Sequence, residues 1–161
     1  MNDCAAAAGA DHTIQLEGVS SILERVARLK AGLVGVTIAA PRLAPEKVFA
    51  CLHDEPAILW SSTPGLQEVG LGALYRFRSP DVSSWSVVAQ QARARCGVVQ
   101  TVGIGACAVE PRFFGGVSFS PYEMPSEAWD GFIDHEFVLP RILYRTDSQR
   151  GQASLTSLRI R

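Results

Sequence analysis

Apolar residues recur at helical spacing in three segments of the chain, while most of the remaining sequence carries the patterns of β-strands. In the helical segments the apolar positions lie three and four residues apart, which gathers them on one face of a helix. These segments are 20–30, 41–53 and 80–96. Ser20 or Ser21 can cap the first helix, and Gly97 ends the third. Pro45 suits the first turn of the second, because its missing N–H has no partner to lose there.

Stretches rich in β-branched and aromatic residues, bounded by glycine and proline, predict the strands. They are 33–39, 57–60, 66–69, 70–77, 112–120, 134–144 and 152–161. The apolar segment 98–108 is rich in glycine, which favours a loop with a short buried stretch. No segment follows the last strand to cover it, so we expect an open sheet edge there.

The order of these elements predicts an α+β fold, mostly antiparallel sheet with two to three flanking helices. A length of 161 residues suits one domain, which we expect over residues 18–161. Residues 1–17 include an alanine run but lack the basic start and longer apolar stretch of a signal peptide. We expect them to be a disordered leader.

The bulk composition excludes several classes of partner. Hydrophobic residues make up 47% and charged residues 19%, values typical of a soluble globular chain. The net charge of −1 provides no general attraction for nucleic acid or an anionic membrane. No apolar run approaches the roughly 20 residues that cross a bilayer. We therefore expect a cytoplasmic protein with neither a nucleic acid nor a membrane as partner.

The cysteines and histidines do not form a metal-binding pattern. The cysteines are Cys4, Cys51, Cys96 and Cys107. No two of them have the CxxC spacing, with two residues between the cysteines. Cys51 and His53 could bind a metal together, but the pattern indicates no third ligand. We expect ordinary thiols and assign no metal ligand.

Candidates for catalysis are also incomplete. Cys107 and His135 could meet in space, but no sequence motif singles them out as a nucleophile and its base. The other candidates have simpler structural interpretations. Among the charged residues, Asp54-Glu55 fits a solvated turn, Asp134-His135-Glu136 fits a polar lead-in to a strand, and Lys30 and Lys47 lie on polar helix faces. Gly70-x-Gly72 fits a bulge or close backbone approach, and 75–78 fits a strand with a solvated arginine face. We assign no catalytic and no cofactor-binding residue.

One part of the sequence resembles a known family, the chorismate-utilising enzymes, and in particular the N-terminal part of isochorismate synthases. The matching text is Pro111-Arg112-Phe113-Phe114-Gly115-Gly116-Val117-Ser118-Phe119, then Trp129, Phe132 and Phe137-Val138-Leu139-Pro140-Arg141. The earlier segments 57–62 and 69–73, and the helix over 41–53, are similar as well. The resemblance covers about residues 33 to 161.

The resemblance implies an N-terminal half of a larger fold that binds chorismate with Mg²⁺. In isochorismate synthases a lysine base activates water, a glutamate acid assists loss of the ring hydroxyl, and carboxylates hold the metal. In the family these residues follow the matched region, the lysine in a strand that resembles D-K-V-V-L-x-R. No family active-site residue therefore corresponds to a position of this chain. Lys30 and Lys47 precede most of the match and lie in a different context.

Two hypotheses follow. The first is an N-terminal part of isochorismate synthase, an isomerase of menaquinone, siderophore or salicylate biosynthesis, inactive without a separate or missing C-terminal chorismate-binding half. The second is a stand-alone, non-catalytic binding module that uses the same half-fold. An unrelated small enzyme using Cys107 or the 134–136 cluster is a third alternative.

Overall fold

A computed structural model describes residues 24, 27, 32–51, 55–79, 85–96, 98–104, 106, 108–117 and 135–160. The strands in this part are β1 (Gly32–Ala39), β2 (Ala57–Thr63), β3 (Leu66–Leu71), β4 (Tyr75–Ser79), β5 (Val98–Ile104), β6 (Phe114–Val117), β7 (His135–Leu139), β8 (Ile142–Asp147) and β9 (Gln152–Ile160). The helices are α1 (Pro45–Phe49) and α2 (Trp85–Cys96). Of the predicted first helix, Glu24 and Ala27 are described, and both are helical.

The strands form two sheets. The larger has six strands in the order β2-β3-β8-β9-β1-β5, and the smaller has three in the order β4-β7-β6. All neighbouring strands run antiparallel except β1 and β5, which are parallel. The structure is therefore sheet-rich with few helices rather than evenly divided between the two, although the predicted antiparallel pairing is confirmed.

Alternation along the strands gives the large sheet two buried faces. Val69 and Tyr144 are register partners, and on their face Val48 of α1 completes a cluster. The opposite face carries Leu143, which packs against Phe114 of the small sheet. The small sheet thus covers one face of the large sheet, and α1 covers part of the other.

A second cluster extends the contact between the two sheets. Leu139, at the end of β7, packs with Leu33 of β1, Leu158 of β9 and Cys96 at the end of α2. Close packing also explains Gly70, since a Cβ there would lie 3.2 Å from Cβ of Pro140. The atoms that approach Gly70 belong to the side chains of Pro140 and Phe114, so the close contact there is with side chains and not with another backbone.

Two predicted strands are each divided between the sheets. The predicted strand 70–77 breaks after Leu71, where Gly72 has a φ of +67° that turns the chain from β3 toward β4. The predicted strand 134–144 breaks at Pro140 and Arg141, so β7 lies in the small sheet and β8 in the large one. Proline has no N–H for a ladder, which makes Pro140 a suitable break.

Other boundaries also differ from the prediction. The segment 98–108, predicted as a loop with a short buried stretch, contains the seven-residue strand β5, which pairs with β1 along its whole length. The expectation of an open edge at the last strand was wrong, because β9 lies between β8 and β1. Within the described strands, the large sheet ends at β2 and β5 instead. The predicted leader, residues 1–17, lies outside the described residues.

Candidate functional site

An extended segment, residues 108–113, crosses the face of the large sheet that the small sheet also covers, and we call it the crossing segment. It is fixed by a hydrogen bond from the Val109 N–H to Oγ1 of Thr37, 3.1 Å long. The Thr37 hydroxyl also lies 2.9 Å from the Thr156 hydroxyl on the neighbouring strand β9. Both threonines are fully buried, so Thr37 holds the segment from below while its hydroxyl is itself paired with that of Thr156.

A buried ion cluster lies beside the crossing segment. Glu68 on β3 is only 1% exposed, and Arg145 is its register partner on β8. Nε of Arg145 is 3.1 Å from Oε1 of Glu68. Nε of Arg112, which belongs to the crossing segment, is 3.3 Å from the same oxygen. Two guanidinium groups therefore converge on one carboxylate as ion pairs. Among the described residues, neither oxygen of Glu68 nor Nε of Arg145 has a hydrogen-bond partner.

Grooves run along both sides of the crossing segment. The larger, of about 670 Å³, is lined by residues 108–113 and Arg145. We call it the arginine groove. The smaller, of about 250 Å³, is lined by Leu33, Cys96 and Val99 together with Glu110, Pro111 and Phe113. It is an apolar groove, and burial raises the pKa of the Cys96 thiol at its floor.

Comparison with known proteins relates this architecture to one family. The model of a family described as chorismate binding enzyme matches residues 21–159. The chain belongs to the chorismate-binding enzyme family. The predicted relation to the chorismate-utilising enzymes is therefore confirmed. No curated protein matches the chain significantly.

A solved structure shows the same fold as this family member. It is MenF, the menaquinone-specific isochorismate synthase from Escherichia coli, with a TM-score of 0.51 and 18% sequence identity. The alignment covers 90% of this chain but only 29% of MenF. At this identity the likeness concerns the fold alone, and it concerns a part of the larger enzyme.

Two of the acidic candidates, Glu55 and Glu136, have arginine partners. Glu136 on β7 lies 2.9 Å from Nη2 of Arg78 and 3.7 Å from Nη1 of Arg76, both on β4. These side chains are substantially exposed, whereas Phe77 between the two arginines is 1% exposed. The segment 75–78 thus has a buried aromatic ring and a solvated arginine face.

Glu55 forms an ion pair with Arg141 at the start of β8. This pair spans Gly72, where an added Cβ would lie 2.6 Å from Oε2 of Glu55. Glu55 therefore helps to hold the turn between the two sheets.

The remaining candidates are either exposed or outside the described residues. Lys47 and Cys51 are exposed at α1 and just after it. The other candidate residues, Lys30, His53, Asp54, Cys107 and Asp134, lie outside the described residues. Within the part of the chain that the structure covers, no three His, Cys, Asp or Glu side chains are grouped to hold a metal ion.

Sequence reasoning missed the cluster of Glu68, Arg112 and Arg145. Glu68 alone carried a weak signal, since it is a charged residue in a strand that is otherwise mostly apolar. Its partner could be found only with the β3–β8 register, which pairs positions 77 residues apart in sequence, 68 and 145.

Of the helices in the described residues, none has the length and apolar character needed to span a membrane.

Proposed function

We propose that the chain is the N-terminal part of an isochorismate synthase, and that it does not convert chorismate by itself. In this proposal residues 18–161 form one domain, the sheet framework on which a C-terminal chorismate-binding half assembles. The family match over residues 21–159 is the observation that carries the proposal. Its support from structure is the likeness to MenF, of which the chain spans 29%.

The chemistry of the isomerisation explains why we expect no turnover. Attack by water and loss of a hydroxyl need a base and an acid placed on either side of the ring. A metal ion that anchors the substrate carboxylate needs a set of oxygen ligands. Among the described residues, the acidic side chains of Glu55, Glu68 and Glu136 are each engaged by arginine. We propose that the second half supplies the lysine, the acid and the Mg²⁺ ligands.

The test is an assay of the purified 161-residue chain with chorismate and Mg²⁺, with MenF as the positive control. We expect no isochorismate above the background of a sample without protein. A second sample adds the part of MenF that follows the aligned region, and there we expect Mg²⁺-dependent turnover if the halves combine. Saturable turnover by the chain alone would contradict the proposal.

The alternative is a stand-alone binding module, and the grooves beside the crossing segment are the observation that favours it. A module is expected to unfold in one cooperative transition and to sediment as a defined species. A half that folds only together with its partner would instead aggregate or melt without a transition. A cytoplasmic location belongs to both proposals, because the two cysteines in the described residues, Cys51 and Cys96, have free thiols, which suit a reducing compartment.

A further inference from the structure

We propose that the arginine groove binds a small aromatic carboxylate, whose carboxylate is held by Arg112 and Arg145. The inference does not depend on turnover or on a second half, because it concerns a ligand of this chain itself. It rests on the geometry of the two guanidinium groups, the balance of charge around them, and the size and lining of the groove.

Both arginines have donors left for a ligand. Each meets Oε1 of Glu68 through Nε, at 3.1 Å for Arg145 and 3.3 Å for Arg112. A guanidinium carries five N–H donors, so four on the terminal amino groups remain on each side chain. No hydrogen bond or ion pair to another described residue engages these amino groups in either side chain. Such a planar fork binds carboxylates through two parallel hydrogen bonds.

Glu68 holds the arginines rather than neutralising them. Its carboxylate is buried below the groove and pairs with two positive charges, so the three side chains together keep one net positive charge. The arginines are partly exposed, with 24% of the Arg145 side chain and 45% of the Arg112 side chain accessible. An anion in the groove can therefore reach both guanidinium groups without displacing Glu68.

One negative charge opposes the ligand. Glu110 also lines the arginine groove, but it is exposed to solvent and pairs with no cation among the described residues. Water and salt screen an exposed charge far more than a buried one. We expect Glu110 to weaken the binding of an anion slightly, whereas Arg112 strengthens it. Removing the charge of each residue should therefore change the affinity in opposite directions.

The size and apolar lining indicate the rest of the ligand. The groove, of about 670 Å³, is open to solvent, so it has room for a small ring of which one side stays exposed. Ala108, Pro111 and the ring of Phe113, which is 38% exposed, form its apolar wall. A planar ring can stack on Phe113 while its carboxylate meets the arginines.

The test is a titration of the 161-residue chain with benzoate, followed by NMR or calorimetry. Benzamide has the same ring and shape without the charge, and inorganic phosphate is an anion without the ring. We expect benzoate to bind at least about tenfold more tightly than either, since a hydrogen bond to a charged group contributes about 1.5–3 kcal/mol and 1.4 kcal/mol is tenfold.

Variants assign the binding to the groove. Arg112→Gln should weaken benzoate binding by about tenfold or more, and Arg112→Lys should fall between it and the parent because it keeps the charge but loses the fork. Glu110→Gln should strengthen binding, while Arg78→Gln, a change at an exposed arginine on β4, should leave it unchanged. Thermal unfolding of each variant confirms that the fold persists.

Equal affinity for benzoate and benzamide would overturn the inference, as would the absence of any benzoate binding. Full affinity in a folded Arg112→Gln variant would overturn it as well. Each of these results is read without chorismate turnover, so failure here leaves the proposed function untouched.

Discussion

Arg145 lies directly opposite Glu68 across β3 and β8, with its Nε 3.1 Å from a carboxylate oxygen that solvent does not reach. A buried carboxylate is strongly destabilising unless a cation and hydrogen bonds compensate for its lost hydration. Arg112 adds a second contact from the crossing segment, at 3.3 Å. The cluster therefore connects the sheet to the segment that separates the two grooves.

The first prediction concerns the stability provided by Arg145. Arg145→Met removes the closer cation and leaves Glu68 buried with Arg112 as its remaining partner. We expect the free energy of unfolding to fall by about 3 kcal/mol, the scale for breaking a buried pair. Urea unfolding followed by circular dichroism measures it. Arg78→Met, which breaks an exposed pair with Glu136, is the control and should cost less than about 1 kcal/mol.

A double variant separates the lost contact from the unpaired charge. Because Glu68→Gln removes the buried charge, Arg145→Met should cost less in that background than in the parent chain. Equal costs in the two backgrounds would show that Arg145 stabilises the protein by packing alone.

The second prediction distinguishes the two glycines of the Phe-Gly-Gly motif. A Cβ at Gly115 would lie 1.9 Å from the Glu136 carbonyl oxygen of β7, whereas a Cβ at Gly116 would meet no atom within 4 Å. Gly115→Ala must push β6 away from β7, so we expect a loss of about 2–3 kcal/mol or more. Gly116→Ala should be neutral or stabilising by up to about 1 kcal/mol.

Thermal unfolding of the two alanine variants compares them under identical conditions. Each variant adds one methyl group, and the two positions are adjacent in β6. General effects of replacing glycine with alanine therefore cancel in the comparison. Similar melting temperatures for both variants would show that β6 does not pack against β7 as closely as described.

The hydrophobic pattern was sufficient to predict most strands, but not which sheet each joins. The predicted strands 70–77 and 134–144 both look continuous because apolar residues fill the junctions. The break at Gly72 depends on a positive φ, and the break at Pro140 follows from the missing N–H. Both signals were present in the sequence, but each also fits an uninterrupted edge strand.

The strand β5 and the candidate site were hidden for a different reason. The glycines in 98–104 weaken the strand pattern, and the pairing that stabilises β5 comes from β1, more than 60 positions earlier, as with Gly35 and Thr101. The Glu68 cluster likewise joins three elements that are distant in sequence. Such sites depend on register and on a crossing loop, which local patterns do not determine.

The third prediction concerns Thr37, the hydroxyl beneath the crossing segment. Thr37→Val keeps the shape but removes the acceptor of the Val109 N–H and the partner of the Thr156 hydroxyl. A buried group left unpaired costs about 1–3 kcal/mol, and we expect a loss in that range by urea unfolding. Thr37→Ser keeps the hydroxyl and should retain both hydrogen bonds.

If Thr37→Val is as stable as the parent chain, the two hydrogen bonds contribute little. A loss of stability in Thr37→Ser reports the packing of the missing methyl group instead. Hydrogen exchange at the Val109 amide gives an independent measurement. Exchange there should be faster in Thr37→Val and close to the parent rate in Thr37→Ser.

The fourth prediction compares two cysteines by their chemical reactivity. Cys51 is exposed just after α1, where its thiol lies 3.2 Å from the Lys47 carbonyl oxygen. Cys96 is 5% exposed, and burial raises the pKa of its thiol, which leaves less of the reactive thiolate at any given pH. Iodoacetamide should therefore modify Cys51 first, while Cys96 reacts at the rate at which α2 and the apolar groove open.

Peptide mass spectrometry follows the modification of Cys51 and of Cys96 separately, and unfolding in urea should make the two rates equal. Equal rates in the native protein would show that the groove floor at Cys96 is open to solvent.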